Sequence, residues 1–429
     1  LPQDSAKINP SSVSFNQFAQ DLYVDTVIVV GNKVTKDYII LREMELKPGV
    51  KISEESVEFD KSRIYSLELF TRVDIYLGTI SGNKATLIVD VSERWFLFPF
   101  PILGIKDRDW SKIYYGLGVY HTNFRGRNER ISFSFALGYD PWVRAAYQNP
   151  VLDKEANLFL ETEFKYSKAK NKSLVSQQSG PNFDEIYYGG SVAFGKRLSL
   201  YHVIWANAGY QVLQVSENSA GRTISPDGRD NSLILGIGAS YDTRDLREYT
   251  QQGTYATVSW NKHGVGESVV DYARFSADFR RFIPIYFNTT VAWRLFTSIA
   301  SGPIIPNYGH AYFGYSERIR GHFNEISEGD NVFGGSLELR VPVIKPGYLV
   351  WENAPYSEIA VLRYGLFFSV FTDVGTTWYK EENPLKKKLT SGYGVGLNFL
   401  LPYSVVLRIE YAVDEHFKGQ FIFDAIASF

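Results

Sequence analysis

Cysteine is missing from all 429 residues, and methionine occurs once, at Met44. Without a thiol there is no disulfide framework, no thiolate metal site and no lipid-modified cysteine anchor. A chain that starts at Leu1 with its only methionine at position 44 reads as processed or truncated, as after removal of a signal peptide. Long apolar runs are missing too, so no segment supplies the ~18 apolar residues of a transmembrane helix. The most apolar stretch, from Trp95 to Leu103, is short and interrupted by Pro99 and Pro101. There is no excess of positive charge either: 45 Lys and Arg face 47 Asp and Glu, for a net −2. That leaves no basic footprint for nucleic acid. The six histidines, at 121, 202, 263, 310, 322 and 416, have no metal-ligand spacing.

What is present is aromatic and periodic. Aromatics make up 16% of the chain and glycine numbers 35. Residues 1–22 carry no sustained pattern and read as a tether. From Val24 the pattern is mixed. Val24–Val30 is a β-branched strand ending at Gly31-Asn32. Thr35 is placed to cap a helix through Ile39, Ile40 and Met44, with Asp37 in its first turn. Ser53 opens a second helix carrying Val57, Ile64 and Leu67. Phe70–Leu77 and Ala85–Val91 form a hairpin around Gly82-Asn83. The order β-α-α-β-β predicts a small α+β module over residues 23–93.

Beyond Trp95 the helical period disappears and side chains alternate in twos. Leu337, Leu339, Val341 and Val343 oppose Glu338 and Arg340. Leu407, Ile409, Tyr411 and Val413 oppose Arg408, Glu410 and Asp414. The final strand sets Phe421, Phe423, Ala425, Ala427 and Phe429 against Ile422, Asp424, Ile426 and Ser428. Charges on one face suit a wet lumen with the apolar face in lipid. Alternation alone does not say which face is inside, so a β-sandwich with an apolar interior stays open at this level. Ten clear strands precede residue 300 and five follow residue 330. A short one near Tyr312 brings the count to the even number that barrels require. The fold class expected is mostly β: a 16-stranded antiparallel transmembrane β-barrel over residues 94–429, preceded by the α+β module.

Short motifs carry a family resemblance. Gly31-Asn32-x-x-Thr35 with Ile40–Met44, and Leu69-Phe70-x-x-Val73, resemble a POTRA module. Four barrel motifs, in order Tyr241-Asp242-Thr243-Arg244-Asp245 with Gly253, Ile319-Arg320-Gly321-His322, Gly334-Gly335-Ser336-Leu337-Glu338 and Phe371-x-Asp373-x-Gly375-x-x-Trp378, resemble the barrel of BamA-like outer-membrane assembly factors and two-partner-secretion translocators. The resemblance covers Val24 to Phe429. It implies a lumenal loop over 301–330 with Ile319, Arg320, Gly321 and His322 at its tip, and Glu338 and Asp373 as the carboxylates that hold Arg320. Position 322 carries histidine where the family has an aromatic, with Phe323 next to it. Independently, a lumenal arginine needs a carboxylate partner, and alternation turns Glu338 inward.

The same resemblance implies a bacterial (Gram-negative) outer-membrane location with the POTRA module in the periplasm. It implies a lateral seam between first and last strands, marked by Gly116 and Gly118 on the first strand and by Phe421, Phe423 and Phe429 on the last. Partners would be the lipid bilayer, unfolded outer-membrane or secreted protein clients, and periplasmic or lipoprotein accessory proteins on the module. No cofactor and no metal is expected. The function implied is outer-membrane protein assembly and insertion. The alternatives are a protein-translocating secretion pore and a lipid-handling barrel. An enzyme is not expected: Gly314-Tyr315-Ser316-Glu317-Arg318 lacks the final glycine and the following helix of a nucleophile elbow.

Overall fold

A computed structural model of the chain describes residues 21–105, 110–170, 173–175, 184–215, 222–266, 269–351, 353–356 and 360–424. The amino-terminal module is built from β1 (Tyr23–Val30), α1 (Asp37–Leu41), α2 (Glu54–Tyr65), β2 (Phe70–Ser81) and β3 (Lys84–Glu93). Its sheet runs β1-β3-β2, with β1 parallel and β2 antiparallel to the central β3. The alternate residues Ala85, Leu87, Val89 and Val91 of β3 turn their side chains onto Ile39, Ile40, Val57 and Ile64 of the helices. Ser53 caps α2 by accepting from the Ser56 amide at 3.1 Å. Thr35 does not cap α1, which has Lys36 at that position and no side-chain cap. Its hydroxyl accepts instead from Asn123 Nδ2 at 2.9 Å, in the barrel.

The rest of the described chain is one sixteen-stranded antiparallel sheet that begins with β4 (Leu97–Ile105) and β5 (Ile113–Phe124) and ends with Gly419–Asp424. Each strand pairs with its sequence neighbour. The one skip is Thr290–Ile304, which pairs with Asn331–Val350 past a small ribbon of Ala311–Phe313 and Ser327–Gly329. The strand near Tyr312 is therefore not a barrel strand. The sixteenth member is β4, whose prolines hid it in the sequence. The direction of the alternation is settled by burial: Glu338, Arg340, Arg408 and Glu410 are buried while Leu337 and Leu339 are exposed. A sandwich would bury the apolar set, so the charged face is the lumen.

The module sits against the barrel turns. Its core runs on into Val151, near the end of the strand Trp142–Asp153, and into Leu246 of a barrel turn. Glu43 is the polar centre of the junction. It accepts from Arg197 at 2.5 and 3.0 Å and from Arg63 at 3.0 Å. Arg63 reaches on to the carbonyls of Asp242 and Leu200 at 3.2 and 3.3 Å. Burial pushes the Glu43 carboxyl up, but the charges of Arg197 and Arg63 outweigh it and hold it at about 2. The Tyr241–Asp245 motif builds this landing surface. Asp242 grips Arg244 at 2.9 and 3.1 Å, and Asp245 accepts from the amides of Gln251 and Gln252.

Candidate functional site

The loop between Thr290–Ile304 and Asn331–Val350 folds into the lumen, and its tip is held by one arginine. Arg320 is buried. Its main-chain amide and Nε both donate to Asp373 Oδ2, at 3.0 and 2.7 Å, and its Nη2 donates to Asp373 Oδ1 at 2.8 Å. Its Nη1 donates to Glu338 at 2.9 Å and to Glu410 at 3.0 Å. The guanidinium carbon lies 3.6 Å from the centre of the Phe371 ring. Charge-assisted, bidentate bonds of this kind fix position as well as energy, which a lysine ammonium cannot do.

Three carboxylates around one arginine would leave an excess of negative charge in a buried place. Arg340 and Arg408 balance it. Arg340 donates to Glu338 at 2.8 Å, and Arg408 lies 3.7 Å from Glu338 and 3.8 Å from Glu410. Arg340 also donates to the carbonyl of Thr250 at 2.8 Å and lies 4.4 Å from the Tyr249 ring centre, which ties the network to a barrel turn.

Two glycines let the tip lie flat on the wall. Gly321 has φ +105, where a side chain is strained. A Cβ on Gly392 would stand 1.6 Å from the Arg320 carbonyl oxygen. His322 bridges Glu325 and Glu415 at 2.7 Å each. Burial lowers its affinity for a proton, and the two carboxylates outweigh that, so its pKa lies above the ordinary value. The packing role goes to Phe323, which sits against Phe371, Ala412 and Ile422. Ile422 belongs to the last strand, so the tip bears directly on one edge of the sheet. Ile319 packs with Phe313 and Val332 behind it.

Sequence reasoning named Arg320, Glu338 and Asp373, and the structure brings all three together. It did not name Glu410, Arg340 or Arg408 as part of the cluster. The available signal was their place on the inward faces of Asn331–Val350 and Val405–Asp414.

The seam residues fall differently from expectation. Gly116 and Gly118 lie on β5, the second strand, opposite Ile102 and Phe100. Gly118 is covered by the Phe100 ring, and a Cβ on Gly116 would meet the Phe135 carbonyl at 1.8 Å. They serve close packing inside the sheet, because the first strand is β4. Phe421 and Phe423 point outward and are exposed, and Phe429 lies outside the described residues.

The edge formed by β4 has a property of its own. The Thr122 amide donates to the Phe96 carbonyl at 2.9 Å, in line with the Leu97–His121 register. Antiparallel strands alternate the direction of their amides. Phe98, Phe100 and Ile102 therefore bond to β5, and Leu97, Pro99, Pro101 and Leu103 turn their backbones to the outer edge. Two of those positions are prolines and have no N–H to offer.

The Omp85 superfamily domain matches residues 123–424, and the POTRA model, described as a surface antigen variable number repeat, matches residues 22–94. The outer membrane protein assembly factor BamA of Nitratidesulfovibrio vulgaris is 22% identical over 256 residues, covering 58% of this chain and 30% of that protein. The chain thus spans under a third of the length of that relative. Among solved structures, BamA from Haemophilus ducreyi lacking POTRA domains 1-3 has a TM-score of 0.55 at 18% identity, over 94% of this chain and 83% of that one. CdiB from Acinetobacter baumannii has a TM-score of 0.54 at 14% identity, over 94% and 73%. At these identities the likeness is one of fold.

Proposed function

The chain belongs to the Omp85 superfamily, and on that premise we propose that it assembles β-barrel proteins into the outer membrane, pairing an incoming strand at the junction of β4 and the last strand. It is an outer-membrane β-barrel with a POTRA module on the periplasmic side. The observation that carries the reading is the contrast between the two sheet edges. The last strand is backed from within by Phe323, on the loop tip that the Arg320 cluster holds. The β4 edge lacks the amides of Pro99 and Pro101 where a partner strand would bond. A junction firm on one side and short of donors on the other favours exchange of its partner for a client strand by β-augmentation.

In this reading Arg320, held by Asp373, Glu338 and Glu410, locks the lumenal loop against the wall that ends in the last strand. The POTRA module, anchored through Glu43, brings clients or accessory proteins to the barrel mouth. Burial of apolar client strands in lipid supplies the driving force, with no nucleotide or cofactor required.

The test is reconstitution in liposomes with urea-unfolded outer-membrane barrels from the same source, scored by protease-resistant folding. Acceleration over empty liposomes is expected. It should vanish when one cysteine in β4 is cross-linked to one in Gly419–Asp424, an experiment the cysteine-free chain makes clean. Acceleration that survives the cross-link removes the seam from the mechanism. No acceleration moves the function to export of an unfolded partner, with pore conductance as its signature.

A further inference from the structure

Two strands outgrow the barrel. Asn331–Val350 loses its neighbour on one side at the Thr290–Arg340 pair, and Val361–Trp378 loses its own at the Gly365–Leu400 pair. Beyond those points the two strands continue together as a hairpin, paired up to Val350–Val361. The stretch free on both sides runs from Gly347–Tyr364 to Val350–Val361, four residue pairs, or about 13 Å at the usual rise per residue.

The two faces of this hairpin differ. Tyr348 and Arg363 pair on the face turned to the POTRA module, where Arg363 binds Glu248 and lies 4.8 Å from the centre of the Tyr65 ring. The other face consists of the cross-strand pairs Ile344–Leu366, Gly347–Tyr364 and Leu349–Leu362. Leu349 is 58% exposed and Tyr364 46%. On Val361–Trp378 this face is the same side that carries Phe368 and Val370, both exposed on the barrel exterior. The apolar surface of the hairpin is thus the lipid-facing belt prolonged without a break. Bulges between Pro342 and Ile344 and between Ile344 and Gly347 bend it on the way, and Pro346 sits in the second.

The hairpin also reaches the entrance to β4. Tyr356, beyond Val350, packs edge-on against Trp95 at 6.2 Å, two residues before β4 begins. Beside the hairpin, the turn before Thr290–Ile304 holds Tyr286 and Phe287 almost fully exposed, with Phe287 at φ +59. Aromatic side chains with wet tips gather at membrane–water boundaries.

We propose that this hairpin is a lipid-binding arm. Its Ile344, Leu349, Leu362 and Tyr364 face lies in the periplasmic leaflet at the headgroup–acyl boundary, and its tip ends at the entrance to β4. Phospholipid is the occupant because the face continues a surface already in lipid, and the opposite face is taken by the POTRA module. Left in water, this row of apolar pairs would be a patch of the kind that soluble surfaces avoid.

Spin labels test this in the full chain, since every engineered cysteine is the only one present. Leu349→Cys and Tyr364→Cys carry a nitroxide in liposomes of phosphatidylethanolamine and phosphatidylglycerol. Leu337→Cys on the barrel exterior serves as the lipid reference, and Glu55→Cys on α2 as the aqueous one. Semi-native gel mobility establishes that each variant is folded, and Val343→Cys replaces either one that is not. Labels at 349 and 364 should collide with oxygen in preference to a nickel chelate, with a ratio on the Leu337 side. A ratio matching Glu55 places the face in water and overturns the proposal. So does a label that neither reagent reaches, since that face would be covered by protein.

Discussion

One carboxylate, Asp373, receives both the main-chain amide and the guanidinium of Arg320, at 3.0 Å for the amide and 2.7 and 2.8 Å for the side chain. The side chain and the backbone of the tip are therefore positioned by the same group. Arg320→Ala leaves Asp373, Glu338 and Glu410 facing one another with one cation fewer. Breaking a buried pair from one side costs about 3–5 kcal/mol. The urea midpoint of the folded barrel on semi-native gels should fall accordingly. Arg320→Lys should recover only part, because an ammonium cannot serve three carboxylates in one plane. A wild-type midpoint for Arg320→Ala would remove the lock.

Gly392→Ala should release the tip without touching any charge. The added Cβ would stand 1.6 Å from the Arg320 carbonyl, so the loop or the strand must move, a penalty of roughly 1–3 kcal/mol. The readout is faster proteolysis between residues 314 and 326. Gly190→Ala, whose Cβ meets nothing nearer than 3.5 Å, should leave the loop as protected as before.

The seat of the POTRA module should depend on acid. Glu43 is held at about 2 in the folded protein against an ordinary 4.5. A depressed carboxylate contributes its full stabilisation above its ordinary pKa and loses it as pH falls through the folded value. Docking should hold at neutral pH and weaken between about 4.5 and 2. Distances between labels on α2 and at Lys154 would follow it. Arg197→Ala should loosen the module at neutral pH, by about the worth of a charged hydrogen bond, 1.5–3 kcal/mol.

Restoring amides to the β4 edge should tighten the junction. Pro99→Ala with Pro101→Ala supplies two donors toward the last strand, each bond worth roughly 0.5–1.5 kcal/mol. Thermal unfolding on semi-native gels should shift upward while client folding slows. Faster client folding would mean that the prolines hold the junction in place instead of weakening it.

Much of this was legible in the residues. Alternation set Glu338 and Arg340 opposite Leu337 and Leu339, and burial followed it. Ser53 read correctly as a cap because the capping bond is local. Thr35 did not, since its partner Asn123 is far away in the chain. β4 was hidden because prolines at 99 and 101 forbid a central strand, and only an edge position tolerates them. That edge also moved Gly116 and Gly118 to the second strand. Glu410 was visible as lumenal, but which inward position of a curved wall faces a given tip depends on shear and tilt, and neither is written in a residue period.

The bonds of Arg320 reach Glu338, Asp373 and Glu410 across 18, 53 and 90 positions of chain. These partners lie on three different strands, Asn331–Val350, Val361–Trp378 and Val405–Asp414. The cluster thus ties three strands of the wall to one loop tip: a sheet paired out of register at any of them cannot bring all three carboxylates to the Arg320 guanidinium.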